Sequence, residues 1–172
     1  MEFRVLCGKE LWGQLTRDNY RGRLYKEARR KPRPVQCFFW VYSESFLDAE
    51  EQLEMFTGAR KDFDDSLHFY CQTIRLRLEN EARDTGRVDQ EGLNVQEQLR
   101  TLFATMTLPN FENVDFERYE ELTSRLSSPL PSSTSLGKFQ QAVTLGLVSW
   151  EGMIVVAEFE HQFILIDLAN LA

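Results

Sequence analysis

The sequence predicts a mainly α-helical bundle around an apolar C-terminal segment, and three observations carry that expectation. Apolar residues recur at steps of three and four through much of the chain between residues 45 and 145. The run LVSWEGMIVVAEFEHQFILIDLANLA, from Leu147 to Ala172, is the most hydrophobic stretch and is long enough for a central buried helix. With 42% apolar residues and only 9 Gly and 5 Pro in 172, the chain has few breakers and enough apolar mass for one core. A second reading stays open, because MIVVA is β-branched. MIVVAEF and HQFILIDL also fit a hairpin that joins PVQCFFWVYS, giving an α+β fold with a small sheet from residues 35–43 and 153–168.

Taken in order, the elements divide a single domain, 1–172, into a basic N-terminal segment, 1–44, and a helical acidic body, 45–172. The first forty residues combine a short alternating start, a basic stretch, and a β-branched and aromatic run set off by Pro32 and Pro34. From Ser45 a helix is expected, with Ser45 and Asp48 in capping-box spacing, Phe46, Ala49, Leu53 and Phe56 on one face, and Gly58 as its stop. A second helix begins near Asp64 to Ser66 and carries Leu67, Tyr70, Cys71, Ile74 and Leu78. Asn94 caps a third, whose Val95, Leu99, Leu102, Phe103 and Met106 form an apolar stripe that ends before Pro109. A fourth runs from about Asp115 with Phe116, Tyr119, Leu122 and Leu126 inward, and SSPLPSSTS breaks it. A short fifth helix carries Leu136, Phe139 and Val143 into the C-terminal run.

Composition narrows the chemistry. Two histidines, His68 and His161, are too few for a multi-histidine metal site. No phosphate loop, dinucleotide fingerprint, nucleophile elbow or H-E-x-x-H pattern occurs. Three cysteines without C-x-x-C spacing disfavour a disulfide framework and a zinc site and suit a reducing compartment. No apolar run reaches 18 residues and no signal-peptide order opens the chain, so a soluble protein in the cytoplasm or nucleus is expected, with no membrane span. The expectation is a non-enzymatic binding protein without metal or cofactor.

Charge is unevenly divided. The net charge is -7, yet residues 1–40 hold ten Lys or Arg against four acids, which leaves ten against twenty-three in the remainder. Arg17, Arg21, Arg23, Lys26, Arg29, Arg30, Lys31 and Arg33 form a basic patch, interleaved with Tyr20 and Tyr25. Such a patch either packs against the acidic remainder of its own or a sister chain, or contacts nucleic acid or an acidic protein surface. The apolar C-terminal segment, if left uncovered, exposes more than the few hundred Å² usual for monomers, so a homo-oligomer is expected.

From Leu122 to Phe159 the chain reads LTSRL, a Ser/Pro-rich loop, KFQQAV, a short Gly-containing turn and VSWEGMIVVAEF. This order resembles the Bcl-2 family of apoptosis regulators. Trp150 matches the tryptophan of the first homology box, Phe139 the phenylalanine of the preceding helix, and Val155, Val156 and Phe159 the apolar face that follows. Leu99, Leu102, Phe103 and Met106 stand where the family has its death-motif helix, so the resemblance extends over about residues 66–159. Ser149, Glu151 and Gly152 replace the box's Asn, Gly and Arg, which removes the cation that pairs with the ligand's aspartate.

The resemblance implies a divergent or viral regulator of apoptosis that holds an amphipathic partner helix in a hydrophobic groove. Its partner-binding residues would be Leu99, Leu102, Phe103, Met106, Leu122, Leu126, Phe139, Trp150, Glu151, Gly152 and Val156. The alternative function is an oligomeric adaptor whose basic N-terminal arm contacts nucleic acid or an acidic protein surface.

Overall fold

The computed structural model describes residues 8–44, 49–84, 91–108, 110–126, 130–131 and 133–171. The chain forms α1 (Gly8–Gly13), α2 (Tyr20–Ala28), β1 (Gln36–Glu44), β2 (Ala49–Ala59), α3 (Ser66–Asp84) and α4 (Glu91–Thr105). There follow β3 (Phe111–Val114), α5 (Phe116–Thr123), α6 (Ser133–Leu136), β4 (Phe139–Leu145), β5 (Gly152–Phe159) and β6 (Gln162–Leu171). The strands make one antiparallel sheet in the order β1-β2-β6-β5-β4-β3.

The fold is therefore α+β, and the helical bundle is overturned. The small-sheet alternative falls short too, since β1 does not touch the C-terminal hairpin: β2 lies between them, pairing Trp40 with Leu53 on one side and Leu53 with Leu168 on the other. The expected helix from Ser45 is replaced by β2 from Ala49 onward, with residues 45–48 outside the described residues. The expected fifth helix is largely β4, and the C-terminal run is the hairpin β5–β6.

The physical reason is that the sheet is covered on both faces. On one face Phe56, Val143, Val156, Phe163 and Leu165 pack against Trp12, Leu24, Leu67, Phe69, Leu99 and Phe103 from α1 to α4. On the other, Leu53, Met55, Met153, Val155, Ile164 and Ile166 form a second core with Tyr119 and Leu122 of α5 and Leu136 of α6. A strand buried on both sides shows no polar alternation, and its apolar residues coincide by chance with helical steps. Leu53 and Phe56 look like one helical stripe, yet they face opposite cores.

Three helices form close to where the sequence places them, although α4 starts at Glu91, so Asn94 lies within its first turns and is not its cap. Leu67, Cys71 and Ile74 of α3 are buried, and the Trp12 indole N–H donates to Ser66 Oγ at 3.1 Å at its start. Leu99 and Phe103 of α4 are buried. Asp115 caps α5 by accepting from the Arg118 backbone N–H at 2.8 Å, a bond worth about 1 kcal/mol. Phe116, expected inward, is exposed.

The likeness to the Bcl-2 family does not survive this architecture. That family is all-helical, whereas residues 139–159 of the segment carrying the resemblance are two paired strands and their connecting turn. Trp150 lies in that turn with 64% of its surface exposed and cannot floor a groove. Gly152 opens β5, and a Cβ there would meet the Leu168 carbonyl oxygen at 2.6 Å. No helix among the described residues is long and apolar enough to cross a membrane.

Candidate functional site

β1 ends the sheet, and its outer edge has no strand beside it among the described residues. Its full length pairs with β2, from Gln36 opposite Thr57 to Glu44 opposite Ala49, without a register shift along the strand. From Gln36 to Ser43 the strand has no charged residue and no proline, the devices that ordinarily blunt an edge. It carries exposed apolar side chains instead: Phe39 at 57%, Tyr42 at 52%, Val41 at 50% and Phe38 at 38%. These are four of the seven exposed large hydrophobics among the described residues, gathered on one strand.

The two faces of this edge differ. Phe38 and Trp40 stack with ring centroids 5.7 Å apart and planes inclined by 10°, and Trp40 leans on the second core. On the α3 side, Phe39 borders a small cavity of about 270 Å³ with Gln52, Glu54, Arg77 and Asp167. Arg77 bonds both acids there, Glu54 at 2.5 Å and Asp167 at 3.2 Å, while its guanidinium covers the Phe56 ring. Burial raises the Asp167 carboxyl pKa against the pull of Arg77. Burial likewise raises the exposed-edge Cys37 thiol, and the Glu54 charge adds to it, so this cysteine stays a thiol at neutral pH.

The residues expected to bind a partner do not converge on one surface. Leu99, Phe103 and Val156 belong to the first core, with Leu102 and Met106 packed beside them; Leu122 belongs to the second, with Leu126 and Phe139 against it. Trp150, Glu151 and Gly152 lie at the β4–β5 turn, where Glu151 and Trp150 backbone oxygens accept from the Asn170 backbone and side chain.

The basic residues are not a free arm. α2 buries Tyr20, Leu24 and Ala28 against α3 and α4, and Gln72 of α3 donates to the Glu27 and Arg30 carbonyl oxygens. Arg30 pairs with Glu27 at 3.0 Å and Asp64 at 2.7 Å; Arg29 covers the Tyr25 ring, Arg21 donates to Tyr20 Oη and Arg23 to Gln14. Arg17, Lys26 and Lys31 stay exposed without an ion pair among the described residues, as does Arg33, whose backbone N–H meets Gln72.

The β1 edge is what reading the sequence missed. PVQCFFWVYS is recognisable as a strand, but its aromatic density suggests the sheet interior. The signal that places it outside is Pro32 and Pro34 directly before it, which suit the start of an edge better than a central strand. Among the described residues no group of three or more His, Cys, Asp or Glu converges as a metal site would require. The chain matches no protein-family model, and neither the curated proteins nor the solved structures contain a significant match to it.

Proposed function

We propose that the protein is a non-enzymatic interaction module that assembles with a second copy of itself through β1, so that two six-stranded sheets become one. The observation that supports this is the exposed, uncharged, aromatic edge of β1.

The strand is complementary to itself. In an antiparallel pair with its two-fold axis at Trp40, Phe38 stands opposite Tyr42 of the second copy and Phe39 opposite Val41. Cys37 faces Ser43, and Gln36 faces Glu44. Every residue meets one of similar character, and no like charges oppose. Each such aromatic or apolar pair contributes about 0.2 to 1 kcal/mol, and each new backbone bond about 0.5 to 1.5 kcal/mol, against the cost of association.

Sedimentation of the full chain and of Val41→Lys tests the proposal. The expected result is a concentration-dependent dimer of the 20.2 kDa chain, with the variant monomeric and equally folded. A monomer at every concentration up to about 0.1 mM, which would put any association above that dissociation constant, overturns it. So does a dimer that the lysine leaves intact.

A further inference from the structure

On the sheet face covered by α5, four aromatic rings interlock around a pocket of about 580 Å³. Phe139, at the start of β4, holds its centroid 5.4 Å from Phe116, 5.5 Å from Tyr119 and 5.6 Å from Phe159. Tyr119 and Phe159 are 5.5 Å apart. Leu130 and Leu136 complete the apolar wall. Gly137 makes the turn into β4 at φ +79°, where an added Cβ would lie 2.7 Å from both Glu160 Cβ and His161 Cδ2. The next residue, Lys138, lines the mouth.

Two features of this pocket serve no purpose in packing alone. Tyr119 is 4% exposed, and its hydroxyl has no hydrogen-bond partner among the described residues. Leaving a buried hydroxyl unpartnered is destabilising, so phenylalanine would be the more stable choice if the ring only filled space. Burial raises the phenol pKa, which keeps this hydroxyl a proton donor. Lys138 is exposed and has no ion pair among the described residues. Glu120, the other charged residue on the lining, repels a second acidic group.

We infer that the pocket holds a small amphipathic monocarboxylate, with its apolar body between the phenylalanine rings, its charge met by Lys138 and one of its oxygens accepting from the Tyr119 hydroxyl. The volume falls in the range of small-molecule sites and suits a medium-chain fatty acid or an arylalkanoate. The site lies under α5 and does not depend on pairing at β1.

Calorimetric titration of the full chain with decanoate, with 4-phenylbutyrate and with neutral decanol tests this. One site per chain is expected for at least one of the two acids, and which acid binds more tightly separates the aliphatic from the aryl source. Decanol should bind about tenfold more weakly than decanoate, as loss of a charge-assisted contact predicts. Tyr119→Phe should weaken the acid about fivefold or more, while leaving the unfolding midpoint of the unliganded protein unchanged or higher. Lys138→Gln, an exposed change that leaves the core untouched, should remove the preference for decanoate over decanol. Failure of both acids to bind at about 1 mM, or binding that neither variant weakens, overturns the inference.

Discussion

Arg60 reaches over the ring of Phe163 to place its guanidinium 2.7 Å from the carboxylate of Glu158, which is 5% exposed. The pair ties the end of β2 to β5 across β6, and the Gln141 side chain donates to the other carboxylate oxygen. Both oxygens of a buried charge are thus answered. Arg60→Met leaves Glu158 with the amide alone and should destabilise the protein by about 2 to 4 kcal/mol. Glu158→Gln, which removes the charge and keeps the shape, should cost less. Urea denaturation of the two variants checks the order, and equal losses would show that the charge is immaterial.

His68 gives the fold a pH dependence of definite sign. Its side chain is buried, its Nδ1 accepts from the Asp64 backbone N–H at 3.2 Å, and its Nε2 has no partner among the described residues. Desolvation lowers its pKa below 6.5, the Arg30 charge lowers it further, and Glu27, Asp64 and Asp65 pull the other way without reversing it. The unfolded chain therefore binds the proton more readily than the folded one. His68's contribution is fully present above pH 6.5 and is lost as the pH falls from there through the folded pKa. Asp65 and Asp167 act oppositely, because burial raises their folded pKa values and lets the folded state keep those protons longer. Comparing wild type with His68→Gln at pH 7.5 and 5.5 separates the terms. The wild type should lose more stability over that interval, and parallel curves would remove His68 as the cause.

Helices that cover the sheet were legible because apolar residues recur along them at helical spacing, as Leu67, Cys71 and Ile74 do in α3, and in α4 and α5 water leaves its mark as well, with Leu99, Phe103, Tyr119 and Leu122 buried among exposed neighbours. Strands buried on both faces carry no such mark. In β5, Met153, Val155, Val156, Ala157, Glu158 and Phe159 are all buried, and a contiguous apolar run fits a core helix as well as a strand. β6 sits between β2 and β5, so its pairing with β2 spans about a hundred residues of sequence that no local pattern encodes. Trp150 illustrates the same limit: a tryptophan beside an apolar run reads as a core anchor, and only the turn between β4 and β5 shows that it faces water. The β1 surface was hidden because edge and centre share one vocabulary of β-branched and aromatic residues. The Tyr119 hydroxyl could not be seen as unpartnered until the fold placed it among phenylalanines.

Register at the β1 edge can be trapped chemically. With the two-fold axis at Trp40, Cys37 of one copy faces residue 43 of the other, and Cys71 is buried out of reach. Ser43→Cys, in a Cys7→Ser background, should give a dimer cross-linked from Cys37 to position 43 under mild oxidation. Peptide mapping identifies the bond. A non-covalent dimer in which this bridge does not form would place the axis elsewhere or the contact on another surface. Two chains of charge -7 repel, so association should tighten between about 10 and 150 mM salt, as the screening length shortens from roughly 30 Å to 8 Å.

Two glycines should respond to the same substitution with opposite signs. Gly22 lies within α2 on its exposed side, and an added Cβ there would meet nothing within 4 Å. Alanine at this position restricts the unfolded chain and favours helix, so Gly22→Ala should stabilise the protein by about 0.5 to 1 kcal/mol. Gly152 opens β5, where the Cβ would stand 2.6 Å from the Leu168 carbonyl oxygen, and that oxygen belongs to the backbone of the neighbouring strand. The clash cannot be relieved by turning a side chain; the β5–β6 ladder must shift, and Gly152→Ala should cost about 1 to 3 kcal/mol. Arginine at 152 meets the same obstruction before its charge can act, which is why a residue that aligns with a cationic position in an unrelated helical family is glycine in this strand. Chemical denaturation of both alanine variants beside wild type decides the matter: a stabilising Gly152→Ala would mean that β5 and β6 are not paired in the register that sets Gly152 opposite Ala169.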